Sequence, residues 1–154
     1  MLVDCDLPDS CRPTMVCHKT DDGGSPVSDN RWPAEERMTP KELQVRTKSF
    51  ALRIIKLVDA LPRSTASQVI ARQLLRAATS VGANYWAACR AQSRAEFAAK
   101  LSIVVEEADE TLYWLELLQE SRVVKPEQLT ELLREANELV AISVAARKTA
   151  KQAA

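Results

Sequence analysis

The sequence predicts an all-α protein, folded as an antiparallel up-down-up-down four-helix bundle with a disordered N-terminal tail. Composition is the first reason: the 154 residues include three glycines and 5% aromatics, and Ala, Leu, Glu, Arg and Lys dominate after residue 40. Periodicity is the second, because apolar residues recur at steps of three and four in four segments, with no competing strand pattern. The links between these segments are short, which favours antiparallel neighbours.

The predicted tail comprises residues 1–38. Four prolines, the pair Gly23-Gly24 and many Asp and Ser residues indicate disorder. Residues 1–37 hold four basic and eight acidic side chains, so their net charge is 4 − 8 = −4, and the neutral chain leaves +4 for the remainder. The chain has no apolar run long enough for a membrane span, and its acidic start lacks the apolar core of a secretory signal. We therefore expect a cytoplasmic protein without membrane contact.

Three cysteines, Cys5, Cys11 and Cys17, recur in the tail at equal intervals, with His18 beside the last. They form either a chance cluster or a zinc site. Zinc sites usually contain cysteine pairs two to four residues apart, so the wider spacing favours a chance cluster. A disulfide would need an oxidising compartment, for which the sequence carries no signal.

The predicted folded unit begins at a methionine. Met38 and Leu43 occupy the two positions of a hydrophobic staple around the start of the first helix. We therefore formulate the hypothesis that Met38 is the natural start and that residues 1–37 are an over-extended reading of the gene. N-terminal sequencing of the native protein tests this, since a chain beginning at Met1 or Leu2 would contradict it.

The first helix is predicted over residues 40–61. Thr39 suits the N-cap, Pro40 suits the first helical position, and Glu42 completes a capping box. Pro62 ends the helix. Its apolar stripe consists of Leu43, Phe50, Ile54, Leu57 and Leu61.

The second helix is predicted over residues 67–90, with two unusual residues in its interior. Gly82 costs about 1 kcal/mol relative to Ala in a helix, which is justified where another helix approaches closely. Asn84 falls in the apolar stripe, so its amide needs partners and is expected to fix the register of the helices. The stripe consists of Ile70, Leu74, Ala77, Val81, Asn84 and Ala88.

The third helix begins after Ser93, and Glu96 completes a second capping box there. This helix is more apolar than one stripe requires. The excess residues on this helix and the preceding one form either an enlarged core face or a second apolar surface for self-association, and we favour the surface. The stripe consists of Phe97, Leu101, Val104, Ala108, Leu112, Leu115 and Leu118. The candidate interface residues are Tyr85, Trp86, Tyr113, Trp114 and Leu117.

The fourth helix starts near Pro126 and fades near Lys148. The bundle therefore spans residues 39–148, and residues 149–154 are expected to form a flexible tail. Its apolar stripe consists of Leu129, Leu133, Ala136, Val140 and Ser143.

Charge is segregated between the helices. The second helix has arginines and no acid, the first is mostly basic, and the third is mostly acidic. The arginines either pair with the acids of the third helix or contact the phosphates of a nucleic acid. The candidate nucleic-acid contacts are Arg53, Lys56, Arg72, Arg76 and Arg90.

The sequence offers no group of residues suited to catalysis. His18 is the only histidine and lies outside the predicted bundle, whereas di-metal bundles need inward Glu-x-x-His pairs. The acids of residues 106–110 point in different directions on a helix, and Cys89 has no histidine near it in sequence. We therefore expect no catalytic residue, no cofactor and no metal.

Three motifs resemble the four-helix bundle proteins related to the 23S rRNA intervening-sequence proteins. They are Arg76-Ala-Ala-x-Ser-Val-x-x-Asn84, the turn leading to Arg94-x-Glu-Phe97, and Glu107-Ala-Asp-Glu-Thr-Leu-x-Trp-Leu-Glu-Leu-Leu118. The resemblance extends more weakly over residues 46–147. After the Asn, relatives commonly have Ile-Ala-Glu-Gly, whereas Tyr85-Trp86-Ala87-Ala88-Cys89 stands here.

The resemblance implies an antiparallel bundle that assembles into a ring-shaped homopentamer. One relative, the accessory variability determinant of diversity-generating retroelements, works with a reverse transcriptase and binds nucleic acid through a basic surface. We therefore expect a non-enzymatic oligomeric module that binds RNA, DNA or a nucleic-acid-processing protein through basic helix faces. The alternative is a purely structural protein-interaction module.

Overall fold

The computed structural model describes residues 38–152. They form four helices, α1 (Pro40–Asp59), α2 (Thr65–Ala88), α3 (Arg94–Glu120) and α4 (Pro126–Gln152). Within this range no strand occurs, so the predicted all-α class and the number of helices are confirmed. The predictions for residues 1–37, including the cysteines of the tail, lie outside the described residues.

The helices pack in the order of the chain. The contacts of α2 with α3 and of α3 with α4 are extensive, those of α1 with α2 are fewer, and α1 touches α4 only over a small area. The direction of α1 against α2 follows from two contacts: Thr47 lies beside Gly82, and Gln44 accepts a hydrogen bond from Trp86 further along α2. Moving back along α1 means moving forward along α2, as in the predicted antiparallel arrangement.

Side-chain caps set the helix starts. At α1 the Thr39 Oγ1 accepts from the Glu42 backbone N–H (3.2 Å) and Glu42 Oε2 accepts from the Thr39 N–H (2.6 Å), which is the predicted capping box. These bonds lower the pKa of Glu42. Met38 is half-buried and packs against the core. At α2 the cap is Ser64, whose Oγ accepts from the Ser67 N–H at 3.1 Å, so α2 begins two residues earlier than predicted.

The start of α3 differs in one bond from the predicted box. Ser93 Oγ accepts from the Glu96 N–H at 3.1 Å, as expected. The carboxylate of Glu96, however, accepts from the N–H of Gln92 at 2.9 Å, one residue before the N-cap. The cap therefore also holds the link that precedes the helix.

The last helix is longer than predicted. α4 continues to Gln152, and residues 149–152, expected in a flexible tail, are helical. The reason is packing: Ala146 and Ala150 are one turn apart and both are buried. Small side chains carried too weak a periodic signal to reveal this extension.

Tyr85 lies in the core and was wrongly predicted to be an interface residue. Its side chain is 1% exposed, because it stands four residues after Val81 and three before Ala88 on the buried side of α2. Asn84 is consequently turned out of the stripe and is only half-buried. Its Nδ2 donates to the Ser80 carbonyl at 2.9 Å, a bond within its own helix that fixes no register between helices.

Gly82 is buried against α1. A Cβ built at this position would lie 3.8 Å from the carbonyl carbon, the carbonyl oxygen and the Cβ of Thr47. The helices do pass close to one another, but a methyl group would meet only ordinary van der Waals neighbours.

Candidate interaction surfaces

The outward side of α2 is a continuous basic face. Seven residues at alternating steps of three and four are all exposed; six lie on α2, which contains no acidic residue, and Arg90 follows in the turn after the helix. Such spacing places side chains in one row along a helix. This basic face consists of Val69, Arg72, Arg76, Thr79, Ala83, Trp86 and Arg90.

Arg76 is committed to the acids of α3. Its Nη1 lies 3.4 Å from Glu107 Oε1, and its Nη2 is in contact with Glu110 Oε1. The hydrogen bond to Glu110 is the main reason that the pKa of Arg76 is raised, and the pKa of Glu110 is lowered in return. Of the two uses considered for the arginines, Arg76 shows the pairing with acids.

The other four candidate phosphate contacts are exposed. Arg53, Lys56, Arg72 and Arg90 form no ion pair with any residue between 38 and 152. Lys56 and Arg72 lie at a similar height of the α1–α2 pair, since they are nine and ten residues from the contact at Thr47 and Gly82. Arg90 lies at the opposite end of α2. The structure therefore groups Lys56 with Arg72 and separates both from Arg90, whereas Arg53 lies on the side of α1 that faces α4.

The outward side of α3 is an acidic and aromatic face. Tyr113 is 55% exposed and Ile103 is 41% exposed. These residues also follow alternating steps of three and four, and no basic residue stands among them. The aromatic face consists of Ile103, Glu106, Glu110, Tyr113 and Leu117.

Trp114 borders the aromatic face and holds it in place. Its Nε1 donates to Glu110 Oε1 at 3.1 Å, and its ring packs edge-on against Tyr113 with centroids 5.0 Å apart. Trp114 and Leu117 are half-buried against the core. Because Glu110 also binds Arg76, one carboxylate connects the basic face of α2 with the aromatic face of α3.

The remaining candidate interface residue, Trp86, is 40% exposed on the basic face. Its Nε1 points to the carbonyl of Gln44 at 3.4 Å. Sequence reasoning missed the exposed Val69 and Ile103. Each stands three residues before a charged residue of its face, Arg72 or Glu106, and this spacing was the available signal.

A shallow groove of about 520 Å³ runs between α1 and α4. Arg46 crosses it: the Nε and Nη2 atoms bind the two carboxylate oxygens of Glu135 at 2.6 and 2.9 Å, and Nη2 also contacts Glu138. The hydrogen bond to Glu135 raises the pKa of Arg46 despite partial burial. The groove is thus bridged by a structural ion pair.

Between residues 38 and 152 there is no cluster of three or more potential metal ligands. In the same range, every buried side-chain nitrogen or oxygen has a hydrogen-bond partner. Nor does any helix of this part of the chain combine the length and apolar character needed to cross a membrane.

Comparison with known proteins gives two matches that agree. A family profile described as 23S rRNA-intervening sequence protein matches residues 41–145. A crystal structure of a protein of unknown function from the S23 ribosomal protein family of Bacteroides thetaiotaomicron has 37% sequence identity and a TM-score of 0.67. That match covers 73% of this chain and 100% of the other. No curated protein matches. The matched range includes most of the bundle and both outward faces, so this chain belongs to the 23S rRNA-intervening sequence protein family.

Proposed function

We propose that this protein is a non-enzymatic, self-associating module that binds nucleic acid through the basic face of α2 and the neighbouring cations of α1. One observation carries the proposal: Arg72 stands exposed on a helix without any acid and Arg90 stands exposed in the turn that follows it, and neither forms an ion pair within residues 38–152. Cations placed in this way are available for phosphates, which supply most of the binding energy for nucleic acids.

The surroundings of the basic face support this use. Trp86 is exposed among the arginines, and aromatic rings next to cations are a common platform for unpaired bases. Arg76 is neutralised by Glu107 and Glu110, so the α3 side of the face repels phosphate. A nucleic acid is therefore expected to approach from the side of α1, where Lys56 lies; Arg53, at the groove between α1 and α4, is reached only by a ligand that also passes over α1. The family's description as rRNA-intervening sequence protein makes RNA the first ligand to test.

Self-association is supported by the aromatic face. Tyr113 and Ile103 expose large apolar surfaces beside Glu106, a combination that is typical of interfaces rather than of solvated helices. A second copy can cover the apolar side chains and place its own basic residues against the acids. Two different faces then meet, and repetition of such a contact closes into a ring when the rotation permits.

The test of nucleic-acid binding is an anisotropy titration with labelled single-stranded and double-stranded RNA at two salt concentrations. We expect affinity to fall with salt, and the double variant Arg72→Gln/Arg90→Gln to bind less tightly and with a shallower salt slope. Loss of two phosphate contacts changes the slope by about 1.4 for a single strand. Arg134→Gln is a control, because Arg134 is also exposed and lies on α4, where it is paired with Glu131.

The second candidate is a purely structural interaction module, favoured by the commitment of Arg76 to Glu107 and Glu110. In that case the exposed arginines contact acids of a second copy. Absence of RNA binding at low salt, together with loss of assembly in the double variant, would contradict the proposed function and favour this candidate.

A further inference from the structure

One end of the bundle collects cations from three separate parts of the chain. Because neighbouring helices run antiparallel, the start of α1, the link between α2 and α3, and the end of α4 lie at the same end. The helical extension of α4 to Gln152 carries its last charges to this end. We call this region the basic end, which consists of Lys41, Arg90, Arg94, Arg147, Lys148 and Lys151.

Few acids balance the basic end. Glu96 lies 3.7 Å from Lys100 on its own helix, so these two charges cancel each other. Glu42 is the one further acid at the start of α1, which leaves a net charge of 6 − 1 = +5. Within the described range, ion pairs are absent from five of the six cations, namely Lys41, Arg90, Arg147, Lys148 and Lys151.

The acidic segment of the chain is attached at this same end. Residues 1–37 have a net charge of 4 − 8 = −4, and they join the bundle at Met38, which packs against the core at the start of α1. Extended chain spans about 3.3 Å per residue, so Asp21 and Asp22 can reach about 55 Å from Met38. A tether of this kind gives an effective concentration in the millimolar range, which makes weak charge contacts significant.

We propose that, in the 154-residue chain that begins at Met1, residues 1–37 bind back onto the basic end of their own bundle through their carboxylates; a chain that started at Met38 would lack this contact. The charges are opposite and similar in size, and the attachment point lies inside the surface that they would cover. Docking itself does not depend on nucleic acid. Its regulatory consequence rests on the proposed function: because Arg90 belongs to both the basic face and the basic end, the docked segment competes with phosphate there.

Zero-length carbodiimide coupling of the full chain tests the docking. Lys148 and Lys151 report on the basic end, and Lys125 is the matched lysine at the opposite end; all three are exposed. Lys125 and Lys151 are separated by about 39 Å along α4, and Asp21 and Asp22 can reach both. We expect coupling of these aspartates to Lys148 and Lys151 to exceed coupling to Lys125 about fivefold at low salt.

The salt dependence of the coupling yields distinguishes electrostatic attraction from the effect of the covalent tether alone. At 1 M salt the screening length is about 3 Å, so the preference for Lys148 and Lys151 should fall if charge causes it, whereas a preference due to the tether alone would persist. Equal yields at both ends, or a preference unchanged by salt, would overturn the proposal. Mixing isotopically labelled and unlabelled chains identifies links between copies, and links found only between copies would also overturn it.

The competition is tested with a labelled single-stranded oligonucleotide. We expect Asp21→Asn/Asp22→Asn/Asp29→Asn to bind it about fivefold more tightly than the control variant. The control removes the same number of charges from exposed acids of α3 outside the aromatic face, in Asp109→Asn/Glu116→Gln/Glu120→Gln. Equal gains would show that only net charge matters and would refute competition. If no variant binds the oligonucleotide, the proposed function fails, and the coupling yields alone decide on docking.

Discussion

Gly82 lies against the main chain of Thr47, yet the contact leaves room for a larger side chain. A methyl group would sit 3.8 Å from its nearest neighbours, and Ala is more favourable than Gly within a helix by about 1 kcal/mol. We therefore expect Gly82→Ala to raise the free energy of unfolding by about 0.5–1 kcal/mol. Urea denaturation at one fixed protein concentration measures this change.

Ala83 is the matched control for that substitution. It is exposed and stands next to Gly82 in the same helix, so Ala83→Gly isolates the helical cost of glycine and should lower stability by about 1 kcal/mol. If Gly82→Ala is less stable than the native chain, the added methyl group clashes with α1. The two helices would then pack more closely than the 3.8 Å distance to Thr47 indicates.

Asn84 and Tyr85 show where reading the sequence reaches its limit at single residues. Both fit a three- and four-residue pattern, and adjacent positions differ by only about 100° around a helix. The choice depends on the neighbouring helix: the structure places the large Tyr85 ring in the core and leaves Asn84 to bond within its own turn. The N-caps Thr39 and Ser93 were predictable because their hydrogen bonds are local, although the cap of α2, Ser64, was missed.

Among the helices, α1 is the least firmly held, and Arg46 compensates for this. α1 touches α4 only over a small area, and the bidentate pair between Arg46 and Glu135 spans their groove. Both side chains are largely shielded from solvent, at 23% and 18% exposure. Removal of the arginine would leave a shielded carboxylate unpaired, so Arg46→Met should destabilise the protein by about 1–3 kcal/mol.

Hydrogen exchange locates the effect of that substitution. In Arg46→Met, the amides of α1 should lose protection before those of α3, because α1 has fewer contacts. Arg134→Met provides the comparison, since within residues 38–152 Arg134 pairs only with acids of its own helix and is 66% exposed. Its loss should cost about 0.5 kcal/mol or less. Equal costs for the two variants would mean that Arg46 does not hold α1 to α4.

The four elements were predictable because long amphipathic stripes dominate their sequences, whereas their ends were less so. α4 reaches Gln152 through buried alanines that carry little periodic signal. In α3 the difficulty is to identify the buried side, because this helix is apolar on several sides. Tyr113 is exposed, as the sequence predicts for an interface residue, whereas Trp114 is half-buried against the core, which follows from the packing of α3 between α2 and α4.

Across the whole molecule, the charges are sorted onto separate surfaces. The basic face of α2 and the aromatic face of α3 are adjacent, and Glu110 joins them by binding both Arg76 and Trp114. Apart from this contact, the residues of the two faces cannot meet within one subunit, because both faces point outward. Their complementarity is therefore available to another copy, which is the physical basis for the proposed self-association.

Tyr113 tests this basis directly. The ring is 55% exposed, so Tyr113→Ser should leave the fold intact while removing the largest exposed apolar group of the aromatic face. Light scattering of the native chain should give a multiple of the 17.1 kDa subunit mass, and the variant should shift toward one subunit with unchanged helical circular dichroism. Val45→Ser is the control, because Val45 is similarly exposed, at 62%, on α1. A native chain of one subunit, or equal masses for the native chain and Tyr113→Ser, would show that the aromatic face does not join copies.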